Sequence, residues 1–335
     1  PTRKMVLTTK LTQMLGIEHP IVQGGMHYVG YAELAAAVSN AGGLGIVTAL
    51  TQPTPEDLRK EIRKTRTLTN KPFGVNLTLL PVGGVPDYHG YAKVIIEEGI
   101  KVVETAGRNP EEWITLFRKN GIIVIHKCVA IRHALTAQRL GADILSVDGF
   151  ECGGHPGEED VSNFILLARA AETLKVPFIA SGGMANGQQL AAALAIGAEG
   201  INCGTRFMCT QEAPIHQKIK EALVNADERQ TTHIFRTLGN TERVYKNKTA
   251  AEVRAIEAEF PGEFERVRPL VMGINYKTSF HETGDVESSV WSCGQSIGLI
   301  HDIPTCKDLL EKMTSDAEAI LTRRLPMMVK QKSRL

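Results

Sequence analysis

The run Ile144-Leu145-Ser146-Val147-Asp148-Gly149-Phe150-Glu151-Cys152-Gly153-Gly154-His155-Pro156-Gly157 decides the fold. Its first four residues are apolar or small and read as a buried parallel strand. The remainder is a glycine-rich loop carrying a histidine. A histidine in such a loop, at the C-terminal end of such a strand, stands where parallel α/β enzymes do their chemistry. Two later strand ends carry Ser181-Gly182-Gly183 and Gly204-Thr205. Together these loops point to a phosphate-bearing ligand with an imidazole beside it.

Working outward, short apolar runs recur at Ile21-Val22, Gly45-Ile46-Val47, Phe73-Gly74-Val75-Asn76 and Lys101-Val102-Val103-Glu104. They continue at Ile122-Ile123-Val124-Ile125, Ile144–Val147, Phe178-Ile179-Ala180 and Gly200-Ile201-Asn202. Helical segments fill the gaps. Ala32–Ala41 is alanine-rich and stops at Gly42-Gly43, and Gln188–Ile196 stops at Gly197. Thr54-Pro55-Glu56-Asp57 has the form of an N-cap, a proline at the first helical position and acids in the first turn, and Asn109-Pro110-Glu111-Glu112 repeats it. Eight strand–helix units predict an α/β fold, a (β/α)8 TIM barrel, with an open doubly wound sheet as the competitor. After Arg206 the pattern changes. Helices are expected over Ala222–Arg229 and Ala250–Phe260, and the tail from about Ser288 to Leu321 has helical spacing suited to packing back on the barrel. The reading is a barrel of residues 1–211 and about 286–335, with a small, mainly helical domain of about 212–285 inserted after the eighth strand.

Composition sets the outer bounds. In 335 residues the formal net charge is +1, which argues against a global footprint for nucleic acid. No window approaches the roughly 18 apolar residues of a membrane helix. The basic start, Pro1 to Lys10, leads into no apolar signal core, so a cytoplasmic protein is expected. Cys128, Cys152, Cys203, Cys209, Cys293 and Cys306 form no Cys-x-x-Cys pair, which predicts reduced, mostly buried thiols and no metal site. Neither a Gly-x-Gly-x-x-Gly after an early strand nor a Gly-Lys-Ser/Thr loop occurs, which speaks against a separate Rossmann domain or a nucleotide hydrolase.

The candidate site is read strand end by strand end. Gln23-Gly24-Gly25-Met26 lets backbone approach a ligand, or is simply a tight turn. Asn76 offers a donor and an acceptor to the edge of a heterocycle, or caps a loop. Lys127, close behind four apolar residues, either reaches solvent at the barrel mouth or faces an anion. His155 is either an ordinary satisfied histidine or a catalytic one; the glycines before it and Pro156-Gly157 after it favour the second. Glu158, Glu159 and Asp160 read as the acidic first turn of the next helix. Gly182, Gly183, Gly204 and Thr205 supply backbone N–H groups and a hydroxyl where barrels commonly bind phosphate.

These motifs resemble the nitronate monooxygenase (2-nitropropane dioxygenase) family of FMN-dependent barrels. The resemblance covers most of the chain. It is carried by Gln23–Met26, Ala41-Gly42-Gly43-Leu44-Gly45, Lys71-Pro72-Phe73-Gly74-Val75-Asn76, Gly153-Gly154-His155, Ala180–Gly183 and Gly204-Thr205-Arg206-Phe207. A narrower similarity, to the family's bacterial NADH:quinone reductases, rests on Leu50-Thr51-Gln52-Pro53, Asn76–Pro81, Ile125-His126-Lys127-Cys128 and Asp148–Cys152. The resemblance implies that Gln23, Gly24, Gly25, Met26, Asn76, Lys127, Asp148, Gly153, Gly182, Gly183, Gly204 and Thr205 surround FMN. It places His155 and Met26 in the substrate pocket with Pro81 at its mouth. Val82-Gly83-Gly84-Val85-Pro86 departs from the quinone reductases, which carry a glutamine and a lysine there, and predicts a more flexible mouth. The implied activity is quinone reduction by NADH or NADPH through the flavin. The alternative is oxidation of alkyl nitronates such as propionate 3-nitronate by O2, with His155 as base for neutral nitroalkanes. A flavin-binding protein without turnover is the third reading. Assembly as a homodimer is left open.

Overall fold

The computed structural model describes residues 7–80 and 86–329, so Pro81 and, of the segment after it, Val82, Gly83, Gly84 and Val85 lie outside the described residues. The eight expected strands all form: β1 (Ile21–Gln23), β2 (Gly45–Thr48), β3 (Phe73–Leu79), β4 (Val102–Gly107), β5 (Ile123–Cys128), β6 (Ile144–Asp148), β7 (Phe178–Ser181) and β8 (Ile201–Cys203). Every neighbour pairs in parallel, and β8 returns to β1 with Ile21 opposite Ile201. The last seam, β1 to β2, is joined by a bridge between Val22 and Leu44. There the Gln23 N–H donates to the Leu44 carbonyl (2.9 Å), and the Gln23 side chain accepts from the Ile46 N–H (3.0 Å). The sheet is therefore a (β/α)8 barrel, and the open doubly wound alternative falls.

Strands buried on both faces need apolar residues on both faces, which is why the runs are β-branched and continuous rather than alternating. Inside the barrel, Val22, Leu44, Ile46, Val102, Ile125, Ile144 and Ile179 form one cluster, and Leu11 and Leu15 of the Lys10–Leu15 helix pack with it. The outer layer packs helices on strands. The Pro55–Leu68 helix begins where Thr54 accepts from the Asp57 N–H, and the Gly187–Ile196 helix ends at Gly197 in left-handed backbone (φ +117°). Only glycine takes that conformation without strain. The Cys306–Ala319 helix packs on the Gly187–Ile196 helix, as the spacing of the tail implied. Among the described residues no helix is long and apolar enough to cross a membrane.

The segment after β8 differs from expectation. Helices Gln217–Val224 and Lys248–Glu259 form, but between them lies an antiparallel hairpin, β9 (Thr231–Ile234) and β10 (Glu242–Tyr245). The helix expected over Ala222–Arg229 stops at Val224, and Asp227 accepts from the Arg229 N–H in a turn (2.9 Å). The hairpin was invisible because its strands are short and mostly polar. Their stability comes from a local cluster of Ile234, Phe235, Val244, Val253 and Val267, and from pairing with the barrel loops. Glu158, Glu159 and Asp160 likewise are not the first turn of a helix, which starts only at Asn163. Glu158 accepts from the Thr241 N–H (2.7 Å), Asp160 pairs with Arg236 (3.0 Å) and Glu159 pairs with Arg132.

Candidate active site

The glycine loops after β1, β6, β7 and β8 open on the C-terminal end of the barrel. Two of the cavities at that end adjoin. The smaller, about 190 Å³, is lined by Gly24, Met26, Gly182, Gly183, Gly204 and Thr205, among others. The larger, about 1030 Å³, is lined by Asn76, Asp148 and His155, with Phe235 and Phe264 from the segment after β8 on its wall. Gly25, Lys127 and Gly153 line both, so the two are lobes of one space. Their size is ample for a cofactor and a small substrate.

The smaller lobe is bordered by free backbone donors. Gly182 and Gly183 both adopt left-handed backbone (φ +80° and +74°), which turns successive N–H groups the same way. Among the described residues no acceptor bonds the backbone N–H of Gly153, Gly182, Gly183, Gly204 or Thr205. A Cβ on Gly204 would meet nothing closer than Met26 Sδ at 3.6 Å, so that glycine faces the cavity. Gly182 is different, because a Cβ there would lie 2.8 Å from the Gly149 carbonyl oxygen. The Thr205 hydroxyl accepts from the Gly294 N–H (2.9 Å) and keeps its own proton to donate. Unbonded amides around a concavity are the donor set a phosphate needs.

The larger lobe has a charged floor. Lys127 Nζ lies 3.3 Å from Asp148 Oδ2, with the lysine side chain 23% exposed and the aspartate 8%. Burial alone would push the ammonium down, but the Asp148 and Glu104 carboxylates outweigh it and hold Lys127 above its ordinary range. Lys127 therefore faces an anion, and the anion is part of the protein. Asp148 Oδ1 is buried with no hydrogen-bond partner among the described residues. His126, also on β5, shares a 2.8 Å hydrogen bond with Thr105 Oγ1, and burial lowers it to about 4. His27, at the smaller lobe, is lowered to about 4 for the same reason. Both imidazoles are neutral near pH 7.

His155 sits at the rim, exposed, with Nε2 3.3 Å from Asn240 Nδ2. Its loop is held from behind. The Gly154 N–H donates to the Arg243 carbonyl on β10 (3.0 Å), and the Arg243 N–H donates back (2.7 Å). The buried Arg243 guanidinium also donates to the Phe150 carbonyl (2.9 Å) and lies over the Phe150 ring, 4.8 Å from its centroid. The hairpin missed in the sequence is thus the brace of the histidine loop. All six cysteines are free and buried, and burial pushes Cys152 up and Cys203 up to about 12.

Of the residues read from the sequence, the structure gathers all but two around the joined cavities. Gln23 is wholly buried in the β1–β2 seam, its side chain spent on Ile46 and Gly24. Pro81 lies outside the described residues. Two residues were missed. Glu104, 0% exposed, accepts from the Gly25 N–H (3.0 Å), Asn76 Nδ2 (2.8 Å) and Asn202 Nδ2 (3.0 Å). Asn202 lines the smaller lobe. The available signal was an acid directly behind Val102-Val103, the same kind of anomaly that singled out Lys127.

Comparison with known proteins agrees with this geometry. A family model for nitronate monooxygenase matches residues 8–316. A (3aS,4S,5R,7aS)-5-hydroxy-7a-methyl-1-oxo-octahydro-1H-indene-4-carboxyl-CoA dehydrogenase of Rhodococcus jostii is 32% identical, covering 93% of this chain and 96% of that protein. The structure of FabK from Thermotoga maritima superposes with a TM-score of 0.89 at 37% identity, covering 96% of this chain and 99% of the other. A nitroalkane oxidase from Streptomyces ansochromogenes superposes at 0.79 and 26% identity, covering 93% and 99%.

Proposed function

The chain belongs to the nitronate monooxygenase family and is a flavin-dependent oxidoreductase, and from that premise we propose that it binds FMN in the joined cavities and reduces quinones with NADH or NADPH. The observation that carries the cofactor assignment is the set of unbonded amides at Gly153, Gly182, Gly183, Gly204 and Thr205 beside a cavity large enough for a ring system. Those amides and the Thr205 hydroxyl would hold the phosphate. Asn76, Asn202 and the Gly24-Gly25 backbone would border the ring. When bound, the flavin supplies a two-electron relay between nicotinamide and acceptor.

The chain's own groups shape what can approach. Lys127 is already matched by Asp148 and Glu104, so the larger lobe holds no uncompensated cation from that source to draw in an anionic substrate. A flat, neutral quinone is compatible with such a floor. His155, exposed at the rim and tethered to Asn240, would protonate a quinone oxygen. Phe235 and Phe264 offer an apolar wall to a planar group. The division into a barrel of residues 1–211 and about 286–335 and an inserted domain belongs to the same proposal, supported by the separate apolar cluster around Ile234 and Val253.

The second reading, nitronate oxidation by O2, is favoured by the likeness to the Streptomyces nitroalkane oxidase. Anaerobic mixing separates the two. Rapid bleaching of the flavin by NADH or NADPH, reversed by a quinone, is expected. Bleaching by propionate 3-nitronate, with none by either nicotinamide, would replace the first reading with the second.

A further inference from the structure

Glu104 is a wholly buried acid of the site, and its neighbours are more informative than its charge. One oxygen, Oε1, accepts from the Gly25 N–H (3.0 Å) and Asn76 Nδ2 (2.8 Å); the other, Oε2, accepts from Asn202 Nδ2 (3.0 Å). The second proton of that Asn202 amide goes to Ser146 Oγ (3.2 Å). Both hydrogens of Asn202 are therefore committed to the barrel interior. Its Oδ1 turns the other way, against Gly24, where a Cβ would lie 2.5 Å from it. Among the described residues it accepts no hydrogen bond.

An asparagine amide has two orientations of nearly equal shape and opposite polarity. A carboxylate that only accepts admits one of them. The geometry points to Glu104 as a positioning residue: it locks the Asn202 amide so that the cavity presents an acceptor, and the site thereby selects a ligand that offers a proton donor beside Gly24. This rests on the flavin reading, in which that donor belongs to the cofactor, on the ring or on its ribityl chain.

Glu104→Gln inverts the arrangement. The glutamine oxygen has to stay under the two donors on Oε1, so its NH2 replaces Oε2 and opposes Asn202 Nδ2. Asn202 relieves this by rotating, after which its oxygen faces the glutamine and Ser146, whose hydroxyl can donate instead. No internal hydrogen bond is lost, but the cavity now presents a donor. Asn202→Asp alone sets carboxylate against carboxylate. The two substitutions together restore a donor facing an acceptor, and again leave an acceptor on the cavity side.

The test is this pair of exchanges, read by FMN titration with fluorescence quenching and by urea unfolding of the same proteins without flavin. A donor facing a donor forfeits a hydrogen bond and strands a polar group, so each single variant should bind FMN at least about tenfold more weakly. E104Q/N202D should return to within about threefold of wild type, and its unfolding midpoint should exceed that of N202D alone. A single variant that fails to fold is read through the double, which must fold and bind. A double variant no better than the worse single in either measurement overturns the inference. The unfolding cycle needs no ligand. If wild type takes up no FMN, the flavin reading fails, while rescue in the unfolding cycle still supports the Glu104–Asn202 lock and its absence sinks it.

Discussion

Breaking the Lys127–Asp148 pair tests whether the cation of the site belongs to the protein or waits for a ligand. At 3.3 Å and an effective dielectric of about 20, the attraction between the two charges is roughly 5 kcal/mol. Desolvation offsets part of it, and Lys127 keeps 23% of its side chain exposed, so a coupling of about 2 kcal/mol is the working figure. Lys127→Met removes the partner of Asp148 Oδ2 and leaves a carboxylate whose Oδ1 is already unbonded among the described residues. The expected cost is about 3 kcal/mol. Asp148→Asn leaves Lys127 near Glu104 and should cost about 1 kcal/mol, less than the lysine loss because one charge partner remains. The double variant should be no less stable than Lys127→Met alone. Urea unfolding of the four proteins without flavin measures the cycle. Effects that add to within about 0.5 kcal/mol would refute the reasoning and return Lys127 to the role of a free cation for the flavin.

Two other outcomes rest on single residues. His126 titrates near 4 in the fold against 6.5 when unfolded, so the unfolded chain takes up a proton that the native state refuses. The stability this imidazole contributes is complete above pH 6.5 and is lost as the pH falls towards 4, about 2 kcal/mol of it between pH 6.5 and 5. His126→Asn should show an acid-induced loss smaller by that amount in unfolding curves at the two pH values, and an unchanged loss would remove the buried neutral imidazole from the account. Gly204→Ala and Gly182→Ala should part company. The first meets no protein atom closer than 3.6 Å and should fold normally while weakening FMN tenfold or more. The second puts a Cβ 2.8 Å from a backbone oxygen at φ +80°, and should lower the unfolding midpoint itself. Equal behaviour of the two would deny that Gly204 faces the ligand.

The barrel was legible because its strands are buried on both faces and so carry unbroken β-branched runs, from Ile21-Val22 to Gly200-Ile201. The glycine loops were legible because left-handed turns at Gly182 and Gly183 need glycine. The β9–β10 hairpin was not, since Thr231-Thr232-His233-Ile234 and Glu242-Arg243-Val244-Tyr245 hold few apolar residues and owe their pairing to distant contacts such as Gly154 with Arg243. Polar residues in buried strands were read unevenly. Lys127 stood out, yet Glu104 and Asn202 obey the same logic and passed unnoticed, because their partners lie on strands far away in sequence. Gln23 was set beside the flavin only by the family resemblance, and its side-chain amide is spent on closing the barrel against Ile46.

The most direct measurement compares FMN with riboflavin by equilibrium titration of the flavin-free protein. If the amides of Gly153, Gly182, Gly183, Gly204 and Thr205 exist to hold a phosphate, FMN should bind at least about a hundredfold more tightly, given about 1.5–3 kcal/mol for each hydrogen bond to a charged group. Equal affinity for the two, or no uptake of either by correctly folded protein, would contradict the account.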